Sequence, residues 1–170
     1  MKHKVIKTQN NSKNCIICGM ENDLGLKAPF YNLEDNSVAS IVEFKTEHQS
    51  YPDRTHGGMV GALLDELMGR VLWATEPDCF GVTTTLNVTY RKPVPLNTRV
   101  KARAVMTFNS KRGFTSKGAV YDLNDNLLIQ GEAKYFKIPF GTAFGEGTSQ
   151  HEQMCYEMPL DITEIDFPEL

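Results

Sequence analysis

The run His56-Gly57-Gly58-Met59-Val60-Gly61-Ala62-Leu63-Leu64-Asp65-Glu66-Leu67-Met68 constrains the fold more than any other part of the chain. It has the pattern of a helix that is apolar on nearly every side, as expected for a helix enclosed by a core. Two acids, Asp65 and Glu66, interrupt it. Removing a carboxylate from water costs roughly several kcal/mol, so an acid in such a helix needs a partner or a chemical task. Gly57 and Gly58 leave backbone N–H groups at the helix start, where negative charge is attracted. N–H donors at a helix start and a carboxylate inside the helix are two halves of a hydrolytic site.

The helix is expected from Gly57 or Gly58 to about Ala74, with Glu76-Pro77-Asp78 ending it. Before it, Gly25–Tyr31 and Ser37–Phe44 read as a hairpin around the turn at Asp35-Asn36. After it, Val82, Thr84, Leu86, Val88 and Tyr90 alternate with Thr83, Thr85, Asn87 and Thr89, a clear strand pattern. The second face of that strand is polar without charge. It suits a subunit edge or a substrate channel better than open water. Arg99 to Met106 alternates again, with Val100, Ala102, Ala104 and Met106 inward and Arg99, Lys101 and Arg103 outward. Strands at Phe114–Tyr121 and Leu127–Ile138 follow. Hairpin-connected strands with one long helix predict an α+β fold, an antiparallel sheet wrapped over the helix. Its open edge and helix ends are naturally covered by a second copy.

A length of 170 residues suits one domain with a substantial core. A net charge of −3 argues against a nucleic-acid surface. The charge is uneven, however. Residues 1–13 carry four lysines and no acid, whereas the chain from Phe140 onward carries seven acids and no Lys or Arg. The expected division is a flexible basic segment over 1–13, a domain over 14–139 and an acidic, irregular tail over 140–170, with Phe140, Phe144 and Phe167 able to dock. No run approaches the roughly 18 apolar residues of a membrane span. With no export signal and four irregularly spaced cysteines, a reducing cytoplasm is expected. Cys15-Ile16-Ile17-Cys18-Gly19 is half of a zinc-site pattern. Cys79, Cys155 and four scattered His do not supply the other half at ligand spacing, so no metal is expected and the segment reads as a compact turn.

The spacing of the two catalytic halves has a geometric consequence. A helix rises 1.5 Å per residue, so Asp65 lies roughly 12 Å beyond Gly57 along one axis. A base and an oxyanion donor must both reach within roughly 3 Å of the reacting group. They cannot serve one carbonyl within one chain. Two antiparallel helices related by a two-fold axis would place Asp65 of one copy opposite Gly57 of the other. Glu66 is four residues from Arg70 and suits an ion pair, which leaves Asp65 as the chemical acid.

His56-Gly57-Gly58, then Leu63-Leu64-Asp65-Glu66, then Thr85-Leu86-Asn87-Val88-Thr89-Tyr90-Arg91-Lys92-Pro93-Val94 resembles the hotdog-fold acyl-CoA thioesterases of the phenylacetate-degradation (PaaI-like) type. The resemblance covers roughly residues 14–139. It implies a sheet wrapped around a central helix, homodimers with two interface sites, often dimers of dimers (homotetramers), and hydrolysis of acyl-CoA thioesters without a metal or other cofactor. It places the catalytic carboxylate at Asp65 and the carbonyl-polarising N–H at Gly57, with Gly58 beside it. It gives His56 a role in orienting the loop or the thioester, and Thr83 a role in holding the water. Relatives can carry an Asn six residues before the His; Ser50 stands there, able to hydrogen-bond but with less reach. Coenzyme A phosphates need basic groups, for which Arg91, Lys92, Lys111 and Arg112 are candidates. The alternative is a non-catalytic acyl-CoA binding module using the same cleft, although binding alone does not require a buried acid. A hydratase on the same fold would need a His paired with an acid, and His56 sits nine residues from Asp65.

Overall fold

A computed structural model describes residues 1–144 and 154–170, with the side chains of 143 and 144 outside the description. The elements are β1 (Lys2–Gln9), β2 (Phe30–Leu33), β3 (Val38–Glu43), α1 (Gly57–Arg70), β4 (Cys79–Tyr90), β5 (Arg99–Asn109), β6 (Gly113–Tyr121), β7 (Leu127–Pro139), α2 (Phe140–Phe144) and β8 (Glu164–Asp166). A 3-10 turn, Val71–Ala74, extends α1 to the expected end. The sheet has eight strands in the order β4-β7-β6-β5-β3-β2-β1-β8. Every pairing is antiparallel. The hotdog architecture expected from the sequence is present among the described residues: one long helix packed by one face against one curved sheet.

The helix buries Val60, Leu63, Leu64, Leu67 and Met68 against inward residues of the sheet, among them Phe30, Val38, Val100, Ala102, Ala104 and Ile129. Their spacing of three and four residues puts them on one stripe. The rest of the helix is not enclosed. Met59, Ala62, Asp65, Glu66 and Gly69 are only half-buried and form a second stripe of mostly small side chains. β4 lies at the sheet edge, and none of its residues is fully buried.

Four expectations are corrected. The first hairpin strand starts at Phe30 rather than Gly25. Residues 1–13 are not a flexible segment: Lys2–Gln9 forms β1, paired with β2 on one side and β8 on the other. His3, Val5 and Gln9 are buried in that strand, and the lysines between them mask its alternation. The tail is not wholly irregular either. Its acids include β8, whose Glu164 faces Lys2 across the β1–β8 pair at 3.4 Å, so the two oppositely charged ends of the sequence lie together. The glycine-bearing stretch 145–153 lies outside the described residues.

The tail also explains the fourth correction. Lys101 and Arg103 point to the outer sheet face, as the alternation predicts, but each is only 6% exposed. A second apolar cluster covers that face, with Val5, Tyr31, Leu33, Ala39, Ala119 and Tyr121 packed against Ile165 and Phe167. Lys101 Nζ donates to the Asp166 carbonyl at 2.7 Å and pairs with Asp125, while Arg103 pairs with Asp35. Phe140 docks beside Trp73 and Phe80, with ring centroids 6.0 Å from each.

Candidate active site

Asp65 sits in the middle of the half-exposed stripe of α1, above β4 and β7. Its Oδ1 accepts a hydrogen bond from Thr83 Oγ1 at 2.8 Å. Tyr135 Oη donates to the Asp65 carbonyl at 2.8 Å and lies 3.4 Å from Oδ1. Thr83 and Tyr135 are cross-strand partners on β4 and β7. The register shifts between Thr83 and Thr85, so an extra residue, Thr84, is accommodated at this point. Bulges of this kind bend a strand and re-aim its side chains. Burial, reinforced by the negative charge of Asp65, pushes the Tyr135 phenol far above its usual range.

The group opens into a cavity of about 720 Å³, whose walls include Asp65, Glu66, Thr83, Trp73, Phe80 and Phe140. One side is thus polar and acidic, and the other is built from large apolar rings. Glu66 faces the same cavity but is engaged as expected. Arg70 Nε and Nη2 reach its Oε1 at 2.9 and 2.8 Å. Arg70 is 2% exposed and stacks its guanidinium over Phe30, 4.1 Å from the ring centroid.

The other half of the sequence-predicted site lies at the far end of the helix. His56 is the N-cap of α1, and its Nδ1 accepts from the Gly58 N–H at 2.9 Å. The Gly58 N–H is therefore committed to the cap. The Gly57 N–H, at the first helical position, has no intrahelical acceptor. Tyr90 Oη donates to the Gly57 carbonyl at 2.8 Å. A Cβ on Gly57 would meet the Tyr90 ring at 3.2 Å, so the close approach of ring and backbone favours glycine. Gly57, Ser50, Tyr90, Arg91 and Lys92 line a separate cleft of about 420 Å³.

The structure thus brings the candidates together in two sets, Asp65 with Thr83 and Gly57 with Ser50, Arg91 and Lys92. Lys111 and Arg112 belong to neither cavity and are exposed in the β5–β6 turn. Tyr135 and Tyr90 are functional candidates that sequence reasoning missed. Each occupies an ordinary alternating strand position, and only a polar tip on an aromatic ring marked it as requiring a partner.

Residues 54–129 match the family described as the thioesterase superfamily. Acyl-coenzyme A thioesterase 13 of Homo sapiens is 26% identical over 129 residues, covering 75% of this chain and 88% of that protein. A crystal structure of a thioesterase superfamily protein superposes with a TM-score of 0.66 at 24% identity, covering 72% of this chain and 59% of that one. A Bacillus halodurans protein solved with CoA superposes with a TM-score of 0.54 at 26% identity, covering 59% of this chain and 66% of that one.

Proposed function

We propose, from the match of residues 54–129 to the thioesterase superfamily and from the hotdog fold, that the chain hydrolyses acyl-CoA thioesters at sites shared between two copies. The observation that carries the reading is the separation just described. Asp65, with its donors, lines one cavity with apolar walls, while Gly57 lines another cleft together with two basic residues. One chain holds half of each of two sites. A second copy laid antiparallel along the half-exposed stripe of α1, with β4 edges adjoining, completes both.

In the proposed mechanism the thioester carbonyl points at the Gly57 N–H of one copy, where the helix dipole favours developing negative charge. Asp65 of the other copy either takes a proton from water as it attacks, or attacks directly to give an anhydride that water then opens. Thr83 and Tyr135 hold Asp65 in place through either course. The thiolate leaves without needing a strong acid. The rings of Trp73, Phe80 and Phe140 suit an acyl group, and Arg91 and Lys92 suit the CoA phosphates. His56 acts by fixing the first turn of α1, since its Nδ1 is committed to the Gly58 N–H.

The test is release of free thiol from a panel of acyl-CoAs, with wild type and Asp65→Ala compared. Turnover by wild type that falls by a factor of about 10² or more in the variant supports the reading. Undiminished turnover in Asp65→Ala sinks the mechanism. Acyl-CoA binding with no turnover in wild type identifies a binding module instead.

A further inference from the structure

We propose that Cys15, Cys18 and Glu66 form a binding site for a thiophilic divalent metal ion of the Zn2+ type. The two cysteines belong to a turn between β1 and β2, and Glu66 belongs to α1. Their ligand atoms all lie within 4.8 Å of one another. Cys15 Sγ donates to Glu66 Oε2 at 3.2 Å, which joins the turn to the helix. In a tetrahedral site with metal–sulfur bonds near 2.3 Å and metal–oxygen bonds near 2.1 Å, ligand atoms are roughly 3.5–3.8 Å apart. The Cys15–Glu66 pair reaches that spacing by opening a few tenths of an ångström, and no pair of the three ligand atoms is wider than 4.8 Å.

The turn has the features such a site needs. The Gly19 N–H donates to the Cys15 carbonyl at 2.8 Å, which closes the loop around the cysteines. A Cβ at Gly19 would stand 2.3 Å from that carbonyl oxygen, so only glycine fits. The Ile17 N–H donates to Cys15 Sγ at 3.3 Å, and Ser12 Oγ lies 3.1 Å from Cys18 Sγ. The two contacts fix where the sulfur atoms stand. Arg70 holds Glu66 by Oε1 and leaves Oε2 directed at the cysteines. Carboxylates that ligate metals are commonly oriented by such a second partner.

Charge decides the matter in favour of a divalent ion. Two neutral thiols beside the Glu66–Arg70 pair sum to zero. Binding M2+ with release of two protons gives two thiolates, one carboxylate, one guanidinium and one dication, which also sum to zero. The exchange, M2+ plus two R–SH giving M(S–R)2 plus two H+, therefore adds no net charge to a largely buried site. Cys15 and Cys18 also border the large cavity, so the fourth position is open to water from it.

The full chain, kept reduced with a phosphine and stripped of metal, is titrated with Co2+. One equivalent is expected to bind with thiolate-to-cobalt charge-transfer absorption, and Zn2+ is expected to displace it. Cys15→Ser and Cys18→Ser lose the absorption, whereas Cys155→Ser keeps it. Glu66→Gln keeps it with affinity weakened about 10-fold or more. Zn2+ also shields Cys15 and Cys18, but not Cys155, from alkylation mapped by mass spectrometry. The wild-type readings need no variant to fold. Absence of the charge-transfer band in wild type, its survival in Cys15→Ser, or equal alkylation of all three cysteines with and without Zn2+ overturns the proposal.

Discussion

Thr83 Oγ1 donates to Asp65 Oδ1 across 2.8 Å, joining the bulged edge strand to the middle of the central helix. The bond restrains the carboxylate at one oxygen, and Asp65 lines the large cavity. A hydrogen bond to a charged group contributes about 1.5–3 kcal/mol. Thr83→Val is expected to lower kcat about 10- to 100-fold with little change in KM, because it mispositions the acid without altering the apolar walls. Steady-state kinetics on the best acyl-CoA checks this. A change confined to KM would place Thr83 in substrate binding instead.

Sharing of sites between copies is tested by complementation. Gly57→Pro removes the N–H at a first helical position, where the backbone accepts proline, and Gly57→Ala, which keeps the N–H but adds the same Cβ against Tyr90, is the control for crowding. Gly57→Pro and Asp65→Ala should each be inactive alone. Random mixing after unfolding and refolding together should restore about one quarter of wild-type activity, because half of the dimers are mixed and each mixed dimer has one intact site. No recovery from the mixture, with both variants folded, places Asp65 and Gly57 outside a shared site.

Glu66→Ala leaves the guanidinium of Arg70 buried without its carboxylate. Breaking a buried pair at one end costs about 3–5 kcal/mol. Urea denaturation with a metal chelator present should show a loss of that size. A loss below about 1 kcal/mol would show that Phe30, Trp73 and the Asn10 carbonyl suffice for Arg70.

Hydrogen bonds from Lys137 and then Asn109 hold the Glu76 carboxyl below its ordinary value of 4.5. A carboxyl with a depressed folded value adds stability that is fully present above the unfolded value and disappears as pH falls through the folded one. Wild type should therefore lose stability below about pH 4.5 more steeply than Glu76→Gln. Thermal melts at a series of pH values check the slope; parallel curves would remove Glu76 from the acid response.

Phe167 is fully buried on the outer sheet face, against Tyr121 and the Lys101 ammonium. Phe167→Ala should cost about 3–5 kcal/mol, as for a ring removed from a core. Denaturation midpoints measure it. An unchanged midpoint would mean that the tail adds nothing to the folded state.

Local pattern alone carried much of this protein. The period of two over Val82–Tyr90, the apolar run over Val60–Met68 and the breaker at Pro77 are statements about which residues share a face, so strands and helix are readable from residue order. The Glu66–Arg70 pair is readable for the same reason, because a helix sets its own spacing. The roughly 12 Å between Gly57 and Asp65 is also a property of the chain, and it requires two copies if both groups are to serve one carbonyl. What residue order does not contain is which distant elements meet. Lysines mask the alternation of β1, and its pairing with β8 depends on a segment more than 150 residues away. Lys101 and Arg103 read as solvent residues until the tail covers them. Tyr135 becomes a partner of Asp65, and Cys15 a neighbour of Glu66, only when sheet and turn close on the helix. Periodicity is a local quantity, whereas the hydrogen bonds that build this site join residues separated by 18 to 70 positions, and only the folded sheet decides them.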